Sequence, residues 1–571
     1  MKERNNLYVT SSAIVASLGG FLVGFDSSVI SGAIPFYKTV FGLQDGSFML
    51  GFSVSCIIWG AILGNLLAGA LSDKIGRKFT LLISSVLFLV TGVCCAFAPN
   101  IEIFISGRII GGIGVGIAIL IAPIYIAEIS PAQQRGQLVS FNQLLIVLGL
   151  SSAYFSNYFI LKLIDNSSNW RWMLGIEILP ALLYFNSLLF IPESPIWLLM
   201  QGKKEQALAI LIKIEGEGYV QKVYEETKKI LVEKTTIKFT KQLTDLFNKR
   251  MKPILIIGFG LGIFQQFSGI NAILYYAPMI FELAGGGRDA AFVQSMVLGI
   301  VLVITTIISM IFIDRLGRKP LLYIGVSLTA LSLTATGVLF KSAYYQLNYL
   351  QIEAVADRIY KNELWTLAQR RDKSLINFDV VLENINTIDF KKENTIVGSL
   401  QLSDREVKTL KMKKNQLIAK IIPLRKKTFE NEQVFFAAIS TSLKQTSIDI
   451  ETYKSLFLKE GIKINSFLVL ISILGFITGF SISLGPVMWA MFSEIFPLRL
   501  RGLAISIVGA VNAIASFLVA TFFPIQLARL GSSNTFFFYA FLMYLCLWFV
   551  WKYVVETKGK SLEQLEKELH N

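Results

Sequence analysis

Repeated apolar runs of about 20 residues limit the fold of this chain more than any other feature of its sequence. A run of that length, wound as an α-helix, crosses the roughly 30 Å of hydrocarbon in a bilayer. The runs form two groups of six: 9–34, 47–71, 79–98, 102–126, 137–161 and 172–191, then 253–281, 291–313, 320–340, 464–490, 501–527 and 533–555. The composition agrees, since 53% of the 571 residues are hydrophobic and only 16% are charged. We therefore predict an all-α integral membrane protein with about twelve transmembrane helices in two pseudo-symmetric six-helix bundles.

Two polar segments interrupt these predicted spans. The first contains amphipathic stretches such as KKEQALAILIKI and is expected to form short helices. The second is rich in Lys, Glu, Asn, Leu and Ile with almost no Gly, which favours helices over disorder. The predicted division is an N-terminal bundle (1–192), a cytoplasmic linker (193–252), spans seven to nine (253–340), a helical extracytoplasmic insertion (341–463), spans ten to twelve (464–555) and a cytoplasmic tail (556–571).

Positive charge marks one side of the predicted membrane. The short loops at 72–78, 132–136, 314–319 and 497–501 are rich in Lys and Arg, whereas the intervening loops hold scattered cations such as Lys38 and Arg288. By the positive-inside rule, the basic loops and both termini face the cytoplasm. We expect a multi-pass protein of the plasma membrane, or of the inner membrane in a bacterium. The net charge of +15 is then explained by these loops and by lipid headgroups, so no nucleic-acid partner is expected.

The residues that usually carry enzyme or metal chemistry are few. Cys56, Cys94, Cys95 and Cys546 all fall inside predicted spans and lack metal-ligand spacing. The only histidine, His570, is the residue before the C-terminus. No nucleophile–base set or nucleotide-binding loop is recognisable, so we expect no enzyme activity, no metal and no cofactor.

Two pairs of loop motifs repeat between the halves of the chain. DKIGRK at 73–78 matches DRLGRK at 314–319, and EISPAQQRG at 128–136 matches EIFPLRLRG at 494–502. We predict a cytoplasmic charge network in which four acids meet four arginines: Asp73, Glu128, Asp314 and Glu494 with Arg77, Arg135, Arg318 and Arg501. Such a network can hold the halves together when the central cavity opens outward, and it must break when the cavity opens inward. Simple positive-inside anchoring explains the arginines but not the paired acids.

Several longer motifs identify a family. They are GRIIGGIGVGIA (107–118), PESPIWL (192–198), QQFSGINAILYYAP (265–278), GPVMWAMFSEIFPLRLRG (485–502) and ETKGKSLEQLE (556–566). With these motifs the chain resembles the sugar porter family of the major facilitator superfamily across all twelve spans. Segment 341–463 lies outside the resemblance. The resemblance implies secondary transport of a monosaccharide by alternating access.

A sugar site needs amide side chains, which donate and accept hydrogen bonds, and an aromatic ring for stacking. Span seven supplies amides in an apolar run that Gly269 interrupts, and broken helices line cavities in membrane proteins. The candidate sugar-binding residues, which the resemblance also favours, are Gln143, Gln265, Gln266, Asn271, Tyr275, Trp489 and Asn512. The alternative role of any one amide is interhelical hydrogen bonding, worth about 0.6 kcal/mol.

Asp26, in the stretch GFDSSVISG, is a charge in the middle of the first predicted span. Burying an ionised aspartate there costs about 2.5–3.5 kcal/mol on insertion scales, so it needs a partner, a proton or water. Arg108 in span four is the expected partner, and an acid that is paired in one conformation and hydrated in another can couple proton entry to transport. The resemblance supports this, because proton-coupled members carry an acid in the first span. Glu177 matches a second acid of a bacterial xylose–proton symporter and is expected to assist.

The sequence therefore predicts a carrier that imports a hexose or pentose with protons and works as a monomer in the lipid bilayer. Two alternatives remain open at this stage. In a passive sugar facilitator, Asp26 would form a static salt bridge with Arg108. In a sugar receptor that does not transport, segment 341–463 would be the signalling or docking part. The sequence does not distinguish xylose, glucose, galactose, arabinose and inositol.

Overall fold

The computed structural model describes residues 6–131, 134–164, 168–215, 239–371, 396–397, 400–401, 404–430, 432–444, 453–497 and 500–560. The N-terminal half contains spans one to six. Their bounds are Asn6–Val40, Phe48–Ile75, Arg77–Ala96, Ile101–Ile129, Arg135–Leu163 and, for a sixth span in two pieces, Asn169–Gly175 and Ile178–Phe190. Each helix contains one of the apolar runs, to within a few residues at each end, because a continuous apolar run is the direct signal of a membrane-crossing helix.

The C-terminal half repeats this arrangement with more interruptions. Span seven has three pieces, Lys252–Phe267, Ile270–Tyr275 and Ala277–Leu283, span eight is Arg288–Leu316 and span nine is Arg318–Lys341. Span ten has two pieces, Ser466–Ile482 and Pro486–Ile495. The last helix, Arg501–Tyr553, has 53 residues and breaks at Gly531, where φ is 78°. A straight helix of that length would be about 80 Å long, so we describe it as spans eleven and twelve.

Within the described residues, eleven helices are long and apolar enough to cross a membrane, and one of them contains the Gly531 break. The prediction of an all-α protein with about twelve spans is therefore confirmed. Large apolar side chains such as Leu66, Phe190 and Leu331 lie exposed on the outside of the bundle, as expected for a surface that faces lipid. The chain is a multi-pass membrane protein.

Glycines allow some spans to pack with backbones in contact. A Cβ atom added to Gly60 in span two would lie 2.1 Å from the carbonyl oxygen of Ile109 in span four. A Cβ atom on Gly112 of span four would lie 2.1 Å from the carbonyl oxygen of Ile57. The glycine-rich run at 111–116 is therefore a helix-packing surface of the kind common in membranes.

The bundle has two ends, which we name by charge. The basic end carries the loops between spans two and three, four and five, eight and nine, and ten and eleven; the far end is opposite. At the far end the two halves are in contact: Ser55 Oγ lies 2.6 Å from Thr521 Oγ1, and Lys162 Nζ lies 2.6 Å from an Asp289 carboxylate oxygen. The Tyr154 hydroxyl donates to the Leu274 carbonyl at 2.7 Å, also across the halves.

The linker between spans six and seven lies at the basic end. Its described helices are Pro195–Met200, Lys204–Glu215 and Phe239–Leu246, followed by the 3₁₀ turn Lys249–Met251. The Trp197 indole donates to the Asp73 carbonyl at 2.9 Å, which fixes the first of these helices beneath span two. Residues 216–238 of the predicted linker, and 561–571 of the predicted tail, lie outside the described residues.

The insertion between spans nine and ten is attached to the far end, where these two spans end and begin. Its described helices are Tyr349–Arg371, Asp404–Ile421, Glu432–Leu443 and Lys454–Gly461, with a 3₁₀ turn at Ile422–Leu424. The strand Tyr344–Tyr345 pairs antiparallel with Ile462–Lys463, and Ile396–Val397 pairs with Leu400–Gln401. The first strand pair joins the two ends of the insertion, so the insertion begins and ends at one place on the bundle. Its extracytoplasmic location stays a prediction.

Candidate functional site

Asp26, Arg108 and Glu177 form a cluster inside the N-terminal half. The Arg108 guanidinium donates to Asp26 Oδ1 and, at 3.4 Å, to the Asp26 main-chain carbonyl. The Glu177 carboxyl lies in hydrogen-bond contact with the carboxyl of Asp26. The exposed fractions of Asp26, Arg108 and Glu177 are 0%, 1% and 1%, so all three groups are sealed from both sides of the bundle.

Local structure brings the three groups together. Span one packs against span five at Gly24, where an added Cβ atom would lie 1.8 Å from the Ile146 carbonyl oxygen. Glu177 lies in the break of span six, between Asn169–Gly175 and Ile178–Phe190, and precedes the first residue of the second piece. Glu177 keeps helical dihedral angles, with φ −58° and ψ −26°, so its side chain leaves span six on a helix face.

The cluster contains two carboxyl groups and one guanidinium. Asp26 Oδ2 and Glu177 Oε1 accept no hydrogen bond from any N–H or O–H donor of the described residues. Two carboxylates in contact cannot both be ionised in such a buried place without a large energetic cost. One proton held between them would serve as the missing donor and would balance the charge of the cluster. The arrangement can therefore take up and release a proton.

The amides of spans seven and eleven form one network in the C-terminal half. The Asn512 amide donates to Gln265 Oε1 at 2.8 Å, and Gln266 donates to Asn512 Oδ1 at 3.1 Å. Asn271 donates to Gln266 Oε1 at 2.9 Å and to Ser516 Oγ at 2.6 Å. The exposed fractions of Gln265, Gln266 and Asn512 are 5%, 8% and 8%. The network thus contains four of the seven predicted sugar-binding residues, and Ser516 is a member that the sequence analysis missed.

The break in span seven positions this network. The helix ends at Phe267 and restarts at Ile270, and Gly269 between them has a φ of 86°. This left-handed conformation is accessible to glycine at little cost, and it brings Asn271 back towards Gln266. Tyr275, at the end of the short middle piece, is 6% exposed and lies within hydrogen-bond reach of Ser27, the residue after Asp26. The middle piece of span seven therefore touches both the amide network and the span that carries the acid.

Trp489 and Gln143 lie at the edges of the site. The Trp489 ring packs edge-on against Phe492 and reaches within 4.0 Å of a Cβ position built on Gly509, one helical turn from Asn512. Trp489 is 43% exposed, so its ring can stack on a ligand beside the network. Gln143 is exposed and shares a helix face with Tyr154, which contacts the other half. The structure does not bring Gln143 into the amide network of the described residues; Gln143 lies exposed on the face of span five that carries Tyr154.

The repeated loop motifs form two equivalent ion-pair clusters at the basic end. In the first, Arg77 binds Glu128 and Asp73, each at 3.0 Å. Glu193 accepts from the backbone N–H groups of Arg77 and Lys78, at 2.9 and 3.1 Å. The Ser194 hydroxyl donates to Glu128. PESPIWL, which contains Glu193, thereby closes the loop between spans two and three.

The second cluster repeats the first with different residues. Arg318 binds Glu494 at 2.8 Å, and Glu556 accepts from the backbone N–H groups of Arg318 and Lys319 at 3.1 and 3.0 Å. The Thr557 hydroxyl donates to Glu494. In both clusters a glycine with positive φ, Gly76 at 100° or Gly317 at 91°, precedes the arginine. A Cβ atom on either glycine would collide with the glutamate, so only glycine fits both the conformation and the space.

One feature of the predicted charge network needs correction. Arg135 donates to the Ser130 carbonyl at 3.5 Å and Arg501 to the Phe496 carbonyl at 3.2 Å, so neither pairs with one of the predicted acids in the described residues. These carbonyl groups lie at the ends of helices, where they lack partners within the helix. Every ion pair described in the network lies within one half, as the prediction requires when the central cavity opens towards the basic end. The side chain of Asp314 lies outside the described part of the structure.

The sequence analysis missed Glu193 and Glu556 as members of these clusters. Both lie in motifs that served only to identify a family, more than 100 residues from the arginine that they fix. The two clusters are equivalent: each half contributes a glycine, an arginine, a lysine, two glutamates and a hydroxyl. This repeat in the sequence could have identified Glu193 and Glu556. A search for acids at matching places after spans six and twelve would have identified the pair.

Comparison with known proteins extends these observations. A family model described as "Sugar (and other) transporter" matches residues 12–352 and 444–569. The D-xylose-proton symporter of Escherichia coli (strain K12) is 30% identical, over 99% of this chain and 96% of that protein. The arabinose-proton symporter of Bacillus subtilis (strain 168) is also 30% identical, over 98% of this chain and 95% of that protein. "Probable inositol transporter 2" of Arabidopsis thaliana is 32% identical, over 99% of this chain and 92% of that protein.

Solved structures resemble the fold over nearly the whole chain. An inward open conformation of the xylose transporter XylE from E. coli matches with a TM-score of 0.68 and 29% identity, over 98% of this chain and 100% of that chain. The proton:xylose symporter XylE bound to 6-bromo-6-deoxy-D-glucose matches with a TM-score of 0.66 and 29% identity, over 99% of this chain and 100% of that chain. The relatives and solved structures named above are transporters.

Proposed function

The chain belongs to the sugar transporter family, and from this premise we propose that it imports a monosaccharide, a hexose or a pentose, together with protons. Import proceeds by alternating access, in which the two halves rock about a central sugar site. The observation that carries this proposal is the sealed cluster of Asp26, Arg108 and Glu177, with two carboxyl groups in contact and one guanidinium. The named activities of the xylose and arabinose symporters agree with it.

The buried cluster supplies the coupling step. Ionised Asp26 pairs with Arg108 and holds span four against span one. Protonation of Asp26 removes the charge that attracts the guanidinium and weakens the attachment of Arg108 to span one, so that the loaded carrier can turn. Glu177 assists by holding the proton in contact with Asp26. Entry of one proton down the membrane potential supplies about 2.3 kcal/mol per 100 mV, which is enough to concentrate the sugar appreciably.

Sugar binding is assigned to the amide network and its neighbours. The side chains of Gln265, Gln266, Asn271 and Asn512 already exchange hydrogen bonds with one another, so a sugar hydroxyl can replace one bond without leaving a buried amide unpaired. Trp489 provides the ring face for stacking, and Gln143 contributes from the other half when the halves close on the sugar. Tyr275 links the sugar site to span one beside Asp26.

The contacts between the halves support alternating access. The halves meet at the far end through Ser55, Tyr154 and Lys162, while the ion pairs of the basic end lie within each half. This is the arrangement expected when the site opens towards the basic end. We assign that end, with both termini, to the cytoplasm of a plasma membrane, on the basis of the positive-inside rule. One chain contains both halves and the whole site, so we propose that a monomer in the bilayer is the functional unit.

The test is sugar-driven proton uptake in proteoliposomes that contain a pH-sensitive dye. Addition of the correct sugar from a panel of monosaccharides is expected to acidify the lumen with the native protein. Asp26→Asn is expected to abolish the acidification and to retain sugar exchange, because asparagine resembles protonated Asp26 and cannot release a proton. The matched control is Asp45→Asn, which removes an exposed aspartate paired with Lys38 outside the site.

Each outcome has a direct interpretation. Acidification that survives in Asp45→Asn and disappears in Asp26→Asn supports symport through Asp26 and identifies the sugar. Sugar entry with no acidification in the native protein would make the chain a passive facilitator. Sugar binding without entry would make it a receptor.

A further inference from the structure

The last helix of the insertion lies against the outer piece of span seven. The family model leaves residues 353–443 of the insertion unmatched and matches the chain again from residue 444. At the end of the insertion, the helix Lys454–Gly461 and the strand Ile462–Lys463 lead into span ten. This connection packs on the piece of span seven that follows its second break, Ala277–Leu283. The insertion is therefore attached to a part of the bundle that adjoins the sugar site.

Three contacts hold the end of the insertion and the first residue of span ten against span seven and the residues that follow it. Lys459 Nζ lies 2.7 Å from a Glu282 carboxylate oxygen, and the two side chains are only 19% and 13% exposed. The Ser466 hydroxyl donates to the Ala284 carbonyl at 2.7 Å. Ile462 lies close to Gly285, within 3.5 Å of a Cβ position built there. The ion pair is the only one of the three that joins opposite charges, and it is largely buried.

Glu282 also connects to the closed interface at the far end. Arg288, at the start of span eight, lies 3.8 Å from Glu282 and holds its guanidinium 4.9 Å from the centre of the Phe36 ring. Phe36 belongs to span one, in the other half. Asp289, the next residue, pairs with Lys162 of span five. A continuous series of charge contacts thus runs from the insertion, through Glu282 and Arg288, to the contact between the halves.

The consequence follows from the burial of Glu282. Without Lys459, the largely buried carboxylate of Glu282 keeps only Arg288, which lies 3.8 Å away and is half exposed, to balance its charge. Such a carboxylate gains from contact with water. Opening of the far end would supply that water. Loss of Lys459 is therefore expected to destabilise the closed far end more than the open one.

We propose that Lys459 is a positioning residue through which the insertion holds the outer piece of span seven in place and stabilises the closed far end. The insertion then biases the conformational equilibrium of the carrier from a site outside the sugar and proton sites. This inference requires that the halves separate at the far end during transport, and it does not depend on proton coupling.

The test measures opening of the far end without any transport. Ser55 is fully buried and contacts Thr521 across the halves, so Ser55→Cys is a reporter of opening. It is built into the full chain after the native cysteines are replaced by alanine: Cys56, Cys94, Cys95 and Cys546. The rate of maleimide labelling is measured on purified protein in detergent, where both ends are accessible. In this background Lys459→Met is expected to label about fivefold faster, and Lys459→Arg at the parent rate.

A neighbouring ion pair provides the matched control. Arg358 pairs with Glu460, the residue after Lys459, at 3.3 Å, and this ion pair lies wholly inside the insertion. Arg358→Met is expected to label at the parent rate. Glu282→Gln removes the same ion pair from the bundle side and leaves the largely buried Lys459 without its counter-charge, so it is also expected to label faster than the parent. This second variant keeps the test decisive if one variant folds poorly. Parent-rate labelling in both ion-pair variants would overturn the proposal. Equal acceleration in Arg358→Met would overturn it too, since the effect would then come from general loosening of the insertion.

Discussion

Arg108 donates to both the carboxylate and the main-chain carbonyl of Asp26, so one side chain joins span four to span one at a fully buried position. This double contact fixes where the charge of Asp26 lies, because the guanidinium is held by the backbone as well as by the acid. Loss of the negative charge on Asp26 weakens the contact between Arg108 and the carboxyl group, and it leaves the contact between Arg108 and the main-chain carbonyl. The pair is therefore suited to a reversible change of strength, as a coupling step requires.

Glu177→Gln is expected to retain about half or more of the sugar-driven acidification, because a glutamine amide can donate to Asp26 as a protonated glutamate would. Glu177→Ala is expected to lose most of it, since the Asp26 carboxylate then lacks that donor. The measurement is the dye assay in proteoliposomes with the sugar identified from the panel. If Glu177→Gln abolished acidification as completely as Asp26→Asn, Glu177 would be the principal proton carrier and the assigned roles would be reversed.

Gln143→Ala is expected to raise the KM for sugar about tenfold with little change in thermal stability. The reason is that the exposed Gln143 donates or accepts one hydrogen bond with the bound sugar, worth about 1.5 kcal/mol. The control is Asn186→Ala, an exposed amide of span six that donates to the Leu182 carbonyl of its own helix. An unchanged KM in Gln143→Ala, or an equal rise in Asn186→Ala, would remove Gln143 from the sugar site.

Tyr154→Phe is expected to loosen the middle piece of span seven. The Tyr154 hydroxyl donates across the halves to the Leu274 carbonyl, and such a bond is worth about 1 kcal/mol. Hydrogen–deuterium exchange in the peptide Ile270–Tyr275 should speed up about fivefold. Tyr184→Phe, which removes a buried hydroxyl packed on Gly19 within the N-terminal half, should leave that peptide unchanged. Equal exchange in the two variants would mean that the hydroxyl of Tyr154 does not hold the halves together.

Glu193 and Glu556 occupy equivalent places and are expected to titrate differently. Burial raises the pKa of the Glu193 carboxyl above its ordinary value of 4.5, although the backbone N–H groups of Ser194, Lys78 and Arg77 favour the ionised form. Burial also disfavours the ionised form of Glu556, but the N–H groups around it prevail and hold the pKa of that carboxyl below 4.5. Ionised Glu556 therefore stabilises the fold above the ordinary pKa, and this contribution is lost as the pH falls through the lowered pKa. Glu193 behaves in the opposite way, because the folded protein binds its proton more tightly than the unfolded chain does. The free energy of unfolding therefore rises as the pH falls through the raised pKa of Glu193.

Thermal unfolding between pH 7 and pH 4 tests this difference. Glu556→Gln is expected to lower the Tm by about 2–4 °C at pH 7, and the deficit should shrink only below about pH 4.5. Glu193→Gln resembles the protonated acid, so it is expected to lower the Tm at pH 7 by less than Glu556→Gln does. As the pH falls, the Tm of Glu193→Gln should reach the native value at a higher pH than the Tm of Glu556→Gln does. Equal deficits at pH 7 for the two variants would contradict the opposite pKa directions.

The spans and the central acid–arginine pair could be predicted from the sequence for simple physical reasons. The run 137–161 became the helix Arg135–Leu163 because apolar length alone decides whether a segment crosses a membrane. Asp26 and Arg108 were paired because a buried charge needs an opposite charge, and the chain has few candidates within its spans. The amides of span seven were found together because they lie close in sequence beside Gly269.

Contacts between distant segments could not be predicted in the same way. Glu193 and Glu556 bind backbone N–H groups, and a sequence carries no mark of which N–H groups lack partners. The carbonyl partners of Arg135 and Arg501 lie five residues earlier at helix ends, so helix-capping rules could have suggested them. The ion pair between Lys459 and Glu282 joins the insertion to span seven across 177 positions, and no repeat or motif points to it.

The reversal point of sugar flux tests the central claim of proton coupling most directly. Proteoliposomes with the native protein are given a fixed sugar gradient, and the membrane potential and the pH gradient are varied until net flux of labelled sugar stops. If one proton enters with each sugar, net flux stops when the proton gradient balances the sugar gradient, and Asp26→Asn loses this dependence. If net flux stops only when the sugar concentrations on the two sides are equal, whatever the proton gradient, the chain is a passive facilitator and the account is wrong.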